Sequence, residues 1–291
     1  MGGCLRSKRA EQLRLLQARP GPLLVGAAWD IGTARLLAHL GYEAVETSSA
    51  GLAFSTGRPD AAGLLGRDEV LDSAAAVAAA VDVPVSADLE NGFGDDPALV
   101  AETIRMADAR GIAGGSIEDA TGRTDHSLYP LGQAVARIRA AAEAAGGGFM
   151  VTARCDGFMH GHRDLSEVIL RLRAYQDAGA DVLGAPGLPD RASVEAVVGA
   201  LHKPVMVYLG QSDWKPDLAE MAALGVKRVT VGSGLARVAW TGFMAAAREA
   251  QEQGTFTLAA QADPYSAFNE LFRALHARAG SSATVRTDMP W

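Results

Sequence analysis

The chain has 291 residues, a formal net charge of −7, 48% hydrophobic and 21% charged residues. These proportions exclude wholesale disorder and collagen-like structure, and an acidic balance with scattered arginines argues against a nucleic-acid partner. With only 2 Cys, Cys4 and Cys155, there is no disulfide framework, which fits a cytoplasmic setting, and no apolar run approaches the roughly 20 residues of a membrane span.

Residues 1–20 read as a polar first helix behind a loose tip, and Arg6 stands where an acylation signal needs Ser or Thr. From residue 23 onward, short apolar runs alternate with longer amphipathic stretches. The strand-like runs are 23–28, 44–48, 83–89, 115–118, 149–154, 182–185, 205–209 and 228–231. Between and after them lie helix-like segments at 31–40, 67–81, 97–110, 131–145, 164–178, 192–201, 217–224 and 235–252. In 97–110 the apolar positions Leu99, Val100, Ile104 and Ala107 recur at helical spacing. Gly41, Gly111, Gly179 and Gly225 each follow a predicted helix, where a left-handed cap suits glycine.

Strands alternating with helices imply parallel pairing through right-handed crossovers. Eight such units close into an α/β (β/α)8 TIM barrel, placed at residues 21–253, with 1–20 as an N-terminal helix or tail and 254–291 as a C-terminal helical extension. An open doubly wound sheet is the rival, but no Gly-x-Gly-x-x-Gly turn follows the first strand. The extension predicts a helix at 264–278 with Tyr265, Phe268, Leu271, Phe272 and Leu275 on one face. That face needs cover, either from its own barrel or from a second subunit.

In such a barrel the active site lies where strands end and βα loops begin. Asp88 and Glu90 stand two apart at the end of the third predicted strand, so an unbroken strand puts them on one face, and Glu118 ends the next strand. Carboxylates crowded this closely repel unless a proton or cation joins them. An oxygen-only set without His or Cys suits Mg²⁺ or Mn²⁺, so Asp88, Glu90 and Glu118 are the expected metal site. Capping of the next helices, or pairing with arginine, is the plainer alternative for any one of them. Arg154 ends the fifth strand, and its planar fork suits a substrate carboxylate, or an ion pair with Glu118 or Asp119. Ser48, Ser49, Ala50 and Gly51 form a small-residue turn whose amides can hold an anion or a developing enolate oxygen, or simply a tight turn. His126, Ser127 and Tyr129, on the loop after the fourth strand, are placed for proton transfer if the loop closes, and are otherwise ordinary surface residues. Cys155 follows Arg154, so alternation turns it away from the mouth, and His160 and His162 read as a polar turn rather than a second metal feature.

Trp29-Asp30 with Ala34-Arg35, Thr47-Ser48-Ser49-Ala50-Gly51, Gly57-Arg58-Pro59-Asp60, the stretch from Val83 to Gly94, Gly114-Gly115-Ser116-Ile117-Glu118-Asp119 and Thr152-Ala153-Arg154-Cys155-Asp156 occur in that order. Together, over residues 23–240, they resemble the isocitrate lyase/phosphoenolpyruvate mutase superfamily. The resemblance implies a Mg²⁺-dependent barrel that makes or breaks a C–C or P–C bond next to a 2-oxo or 2-hydroxy carboxylate. It implies Asp88 and Glu90 as metal-site acids, Glu118 as the acid after the fourth strand, Arg154 as the substrate-binding arginine and Asp60 as a loop acid that moves a proton. It places Ala50, Gly51 and Leu52 at the substrate oxygen, with Trp29 beside them. It also implies a homodimer or homotetramer that exchanges the C-terminal helix. This sequence departs from the lyase pattern at residues 120–130, a short loop without the Lys-Lys/Arg-Cys-Gly-His motif, and strand seven carries Met206 and Tyr208 where relatives often place an Asn.

The reading is a Mg²⁺-dependent lyase acting on substrates like (methyl)isocitrate or oxaloacetate. Phosphonopyruvate-type P–C chemistry is the alternative, as is a keto-acid-binding barrel with little turnover. A sugar-phosphate site at Val231-Gly232-Ser233-Gly234 ranks last.

Overall fold

The computed structural model describes residues 2–279. The chain divides into two units, Met1–Arg237 and Val238–Trp291. In the first, β1 (Leu23–Ala28), β2 (Val45–Thr47), β3 (Val85–Asp88), β4 (Gly114–Glu118), β5 (Met150–Arg154), β6 (Val182–Gly184), β7 (Val205–Tyr208) and β8 (Arg228–Thr230) form a closed barrel in sequence order. All pairs are parallel, and closure is made by β8 on β1, where Leu23 faces Arg228. The expected TIM barrel is present, with strands one to three residues shorter than most of the apolar runs suggested.

Helices α1 (Gly2–Ala18) and α2 (Ile31–His39) flank β1, and α3 (Ser49–Ser55) and α4 (Arg67–Ala80) both follow β2. Then come α5 (Pro97–Ala109), α6 (Leu131–Ala145), α7 (Leu165–Asp177), α8 (Arg191–Ala200) and α9 (Leu218–Ala223), while α10 (Gly234–Gln253) begins in this unit. Several helix starts are fixed by a preceding aspartate that accepts from first-turn amides: Asp30, Asp96, Asp164, Asp190 and Asp217. The caps explain why these acids stay out of the site. Gly41 and Gly179 take φ of 91° and 109°, the left-handed conformation read for them.

Between strands and helices lies a continuous core that includes Leu71, Ile104, Ile138, Leu172 and Val194. The base of the barrel has its own cluster: Leu13 of α1 with Leu23, Val25, Ala44, Ala113, Met150, Val182 and Met206. Helix α1 is tied down by three side chains that donate to backbone carbonyls: Arg9 to Val81 (3.0 Å), Arg14 to Phe149 (3.0 Å) and Gln17 to Lys227 (2.7 Å). A helix that reads as polar is thus a stopper at the strand starts, with Ala10 and Leu13 fully buried. Its apolar positions are too diluted by Arg and Gln for the sequence pattern to show it.

The second unit continues α10 and adds α11 (Thr257–Ala260) and α12 (Tyr265–Ala279). Glu249 joins α10 to α11 by accepting from Thr255 Oγ1 (2.7 Å) and the amides of Thr257 (2.7 Å) and Leu258 (2.9 Å). On α12, Leu271 is buried while Tyr265 and Phe268 are exposed, as are Phe243 and Phe256 elsewhere in this unit. No described helix is long and apolar enough to cross a membrane.

Candidate active site

A cavity of about 110 Å³ opens at the C-terminal ends of the strands. Asp60, Asp88, Arg154, Ser48, Ser49 and Ala50 line it, so these sequence-selected residues are brought together. Asp88 ends β3. One of its oxygens accepts from Arg154 Nη1 (3.1 Å) and Ser116 Oγ (3.2 Å), the other from Ser49 Oγ (2.8 Å). Arg154, at the end of β5, also pairs with Glu118 (3.0 Å) and bidentately with Asp156 (2.5 and 3.1 Å). Burial works against its charge, but Asp156, Glu118 and Asp88 outweigh that and hold the guanidinium firmly protonated. Asp156 lies two residues past Arg154, beyond the end of β5 and at the start of a short helical turn, so strand alternation could not have placed it.

The small-residue turn read at 48–51 is the capped first turn of α3. Ser48 is its N-cap, accepting from Gly51 N at 3.1 Å. Gly51 is required because a Cβ there would stand 2.6 Å from Trp29 Cβ. Trp29 and Leu52 therefore lie behind the wall, on a separate crevice shared with Ser48, Ser49 and Asp88. Ser49 shows how the helix start serves the site: its amide lies 3.4 Å from Asp88, and its hydroxyl is already donated to that carboxylate.

The expected acids do not close into a three-ligand cage. Glu90 lies beyond the end of β3 with φ 47°, so strand alternation no longer governs it, and neither Glu90 nor Glu118 is on the cavity wall. Among the described residues no group of three or more His, Cys, Asp or Glu is arranged to hold a metal ion. Yet the donor set fits a hard divalent cation. Burial and repulsion from Asp88 and Asp60 push Glu90 up to about 7, burial together with Asp156, Asp88 and Glu90 raises Glu118, and burial together with Asp88 raises Asp60. One Asp60 oxygen is buried without any hydrogen-bond partner. Oxygen donors this under-compensated call for positive charge beyond Arg154.

His126 and Ser127 are not brought to this cavity. The loop is pinned by a bridge between Ala120 and Leu128, and the His126 side chain is 80% exposed. Both residues border a second cavity of about 340 Å³, where Ser127 Oγ lies 3.0 Å from His162 Nε2. Cys155 borders that cavity too, and burial raises its thiol far above the usual range. Residues the sequence reading did not select for the main cavity include Glu46, Thr152, Met159, Pro186, Gln211 and Arg228.

Acids and a guanidinium converging on a small cavity at the strand C-termini stand where barrel enzymes carry their active sites. The family model for phosphoenolpyruvate phosphomutase matches residues 13–251, and the chain belongs to that family, within the phosphoenolpyruvate mutase/isocitrate lyase superfamily. The oxaloacetate decarboxylase of Pseudomonas paraeruginosa (strain DSM 24068 / PA7) is 33% identical over 214 residues, 71% of this chain and 72% of its own. A crystal structure of a candidate lyase/mutase from Burkholderia cenocepacia J2315 shares 51% identity and a TM-score of 0.88, covering 92% of this chain and 97% of the other. The phosphoenolpyruvate phosphomutase of Streptomyces platensis subsp. rosaceus shares 28% identity and a TM-score of 0.81, over 93% and 97% of the two chains. The chain is an enzyme of this lyase and mutase class.

Proposed function

We propose that the chain is a divalent-metal-dependent carbon–carbon lyase for a small 2-oxo or 2-hydroxy acid, with oxaloacetate as the first substrate to test. The observation that carries this is the pairing of Asp88 with Arg154 on the wall of a small cavity that also holds the unpartnered oxygen of Asp60. A cavity of about 110 Å³ takes a four- or five-carbon acid and is far below the roughly 300–1,000 Å³ of drug-sized pockets. The named decarboxylase relative supports oxaloacetate over larger acids.

Asp88, with Glu90 and Glu118 around it, would hold Mg²⁺ or Mn²⁺, which when bound draws charge from the 2-oxo carboxylate end of the substrate. Arg154, fixed by Asp156 and Glu118, anchors that carboxylate. The first turn of α3 presents Ser49 and Ala50 beside it. Asp60, whose carboxyl is raised by burial, accepts or returns a proton at the mouth. The neutral wall of Pro186, Met206, Tyr208 and Gln211 faces the departing fragment and excludes water from it. The exposed aromatics of the second unit support a homodimer or homotetramer built through the C-terminal helices.

The test is turnover of oxaloacetate, isocitrate, methylisocitrate, dimethylmalate and phosphonopyruvate, with Mg²⁺ and with EDTA. Cation-dependent cleavage of oxaloacetate supports the proposal. Turnover of phosphonopyruvate alone replaces it with P–C chemistry, and tight binding without product from any acid replaces it with a binding role.

A further inference from the structure

The cavity does not end at Asp88 and Arg154. Its lining continues down the barrel to Glu46 of β2, Thr152 of β5, Met206 of β7 and Arg228 of β8. Glu46 pairs in register with Ser86, two residues before Asp88, so it lies one layer beneath the acids of the mouth. One of its oxygens accepts from the Thr230 hydroxyl. Among the described residues Glu46 makes no ion pair, although a buried arginine stands nearby. That arginine, Arg228, is turned to other partners: Gln17 Oε1 (2.7 Å), Thr152 Oγ1 (3.4 Å) and Met150 Sδ (3.0 Å). A carboxyl inside a barrel, hydrogen-bonded once, unpaired and open to the substrate cavity, is costly to keep for packing alone.

We propose that Glu46 is the proton donor to the substrate carbon left when the carbon–carbon bond breaks. The inference rests on the lyase reading above. Of the residues first considered for proton transfer, His126, Ser127 and Tyr129 border the other cavity and Asp60 serves the mouth, whereas Glu46 approaches the substrate carbon from below. With a 3-carboxy 2-oxo acid, the C3–C4 bond breaks, its electron pair stays on C3 as the enolate, and carbon dioxide departs. The Glu46 O–H then protonates C3, forming a C–H bond, and the resulting carboxylate regains a proton from water entering the cavity. No electrons are gained or lost overall.

The groups facing Glu46 are Thr230 and Arg228 of β8, Asp88 of β3, Arg154 of β5 and Tyr208 of β7. Burial raises its carboxyl to about 7, the Thr230 hydrogen bond lowers it, Asp88 raises it and the two arginines lower it. The group therefore carries its proton into the neutral range, as a donor needs.

The experiment follows exchange of the pyruvate methyl protons in D2O by NMR, with Mg²⁺, in the full-length wild type and in Glu46→Gln. Oxalate binding is measured beside it, because oxalate needs no proton transfer. We expect exchange to fall about 100-fold or more in Glu46→Gln while the oxalate Kd stays within about threefold. Exchange at the wild-type rate in that variant overturns the inference. Thr230→Val gives an independent arm if Glu46→Gln does not fold. It removes the hydrogen bond that favours the ionised carboxyl, so the pH midpoint of exchange moves upward, and an unmoved midpoint overturns the inference. Wild type that cleaves oxaloacetate beside an equally active Glu46→Gln sinks this inference alone. Wild type that binds oxalate but neither exchanges nor cleaves sinks the lyase reading and this inference with it.

Discussion

The two ends of the same eight strands are built on opposite principles. At the base, Leu13 of α1 closes the barrel over Leu23, Val25 and Val182, and its polar groups are satisfied by Arg14 and Gln17. At the mouth, Asp88, Glu118 and Asp156 crowd one guanidinium, and Asp60 keeps an oxygen without a partner. The base minimises its own free energy, whereas the mouth is left short of positive charge. Such asymmetry separates residues kept for stability from residues kept for chemistry.

The strongest way to break that contrast is Asp88→Ala. It is expected to abolish cation-dependent oxalate binding and lower kcat/KM about 1,000-fold or more, on the order of 4 kcal/mol. Folding stability without metal should move by less than about 1 kcal/mol, because the lost bonds to Arg154, Ser49 and Ser116 are offset by relief of acid crowding, and Arg154 keeps Glu118 and Asp156. Calorimetry and urea unfolding on one preparation check both, and undiminished binding refutes the assignment. Arg154→Lys comes next. The charge remains, but a bidentate fork on Asp156 and two further carboxylates is lost, so kcat/KM should fall about 100-fold and stability by roughly 2–3 kcal/mol. Leu13→Ala is the mirror image. It should cost about 2–4 kcal/mol in urea unfolding and leave kcat/KM unchanged at temperatures where the protein stays folded.

How far this division was legible depended on whether a strand continued. Asp88 and Arg154 could be placed because each ends a regular run, so parity and barrel geometry fixed their direction. Glu90 could not, because β3 stops at Asp88 and the backbone turns left-handed at Glu90. The loop after β4 was legible as a departure from its relatives, but not as a segment pinned at Ala120 and Leu128, since that bridge joins residues whose pattern carries no period. Helix α3 was hidden because Ser-Ala-Gly reads equally as a turn. Its N-cap bond and the approach of Trp29 to Gly51 decide between them only in three dimensions. Gln17 reaching Arg228 across 211 residues lay outside any local pattern.

The pH dependence sharpens the contrast without a mutation. Glu46 and Glu90 are both raised to about 7 from 4.5 in the folded chain, chiefly by burial. A carboxyl raised on folding contributes stability that is fully present below its unfolded value and is lost as pH climbs through the folded value. Without divalent cation, stability should therefore decline between about pH 4.5 and pH 7–8, by up to roughly 7 kcal/mol. Mg²⁺ should restore the part lost at Glu90 at pH 8 and do little at pH 5, where the acids hold protons instead. Urea midpoints at the two pH values, with and without Mg²⁺, check this. Equal stabilisation at both would mean that the cation binds elsewhere.

The smallest expected effect concerns the neutral side of the mouth. Gly184 ends β6, and a Cβ built on it would come 3.2 Å from Tyr208 Cε2 and 3.6 Å from Met206 Cε. The Tyr208 ring lies over Arg154, with the guanidinium carbon 5.6 Å from its centroid. Gly184→Ala should therefore push the ring by a few tenths of an ångström toward the guanidinium and narrow the wall that faces the departing fragment. Folding should lose about 1 kcal/mol or less, since only a side chain must give. If that wall sets the size of the fragment, KM for oxaloacetate should rise about threefold, and the 3-methyl analogue should suffer roughly tenfold more. A methyl group that penalises both acids equally would leave Tyr208 as packing, and size selection would then have to be sought at Met159 and Pro186, which also line the cavity.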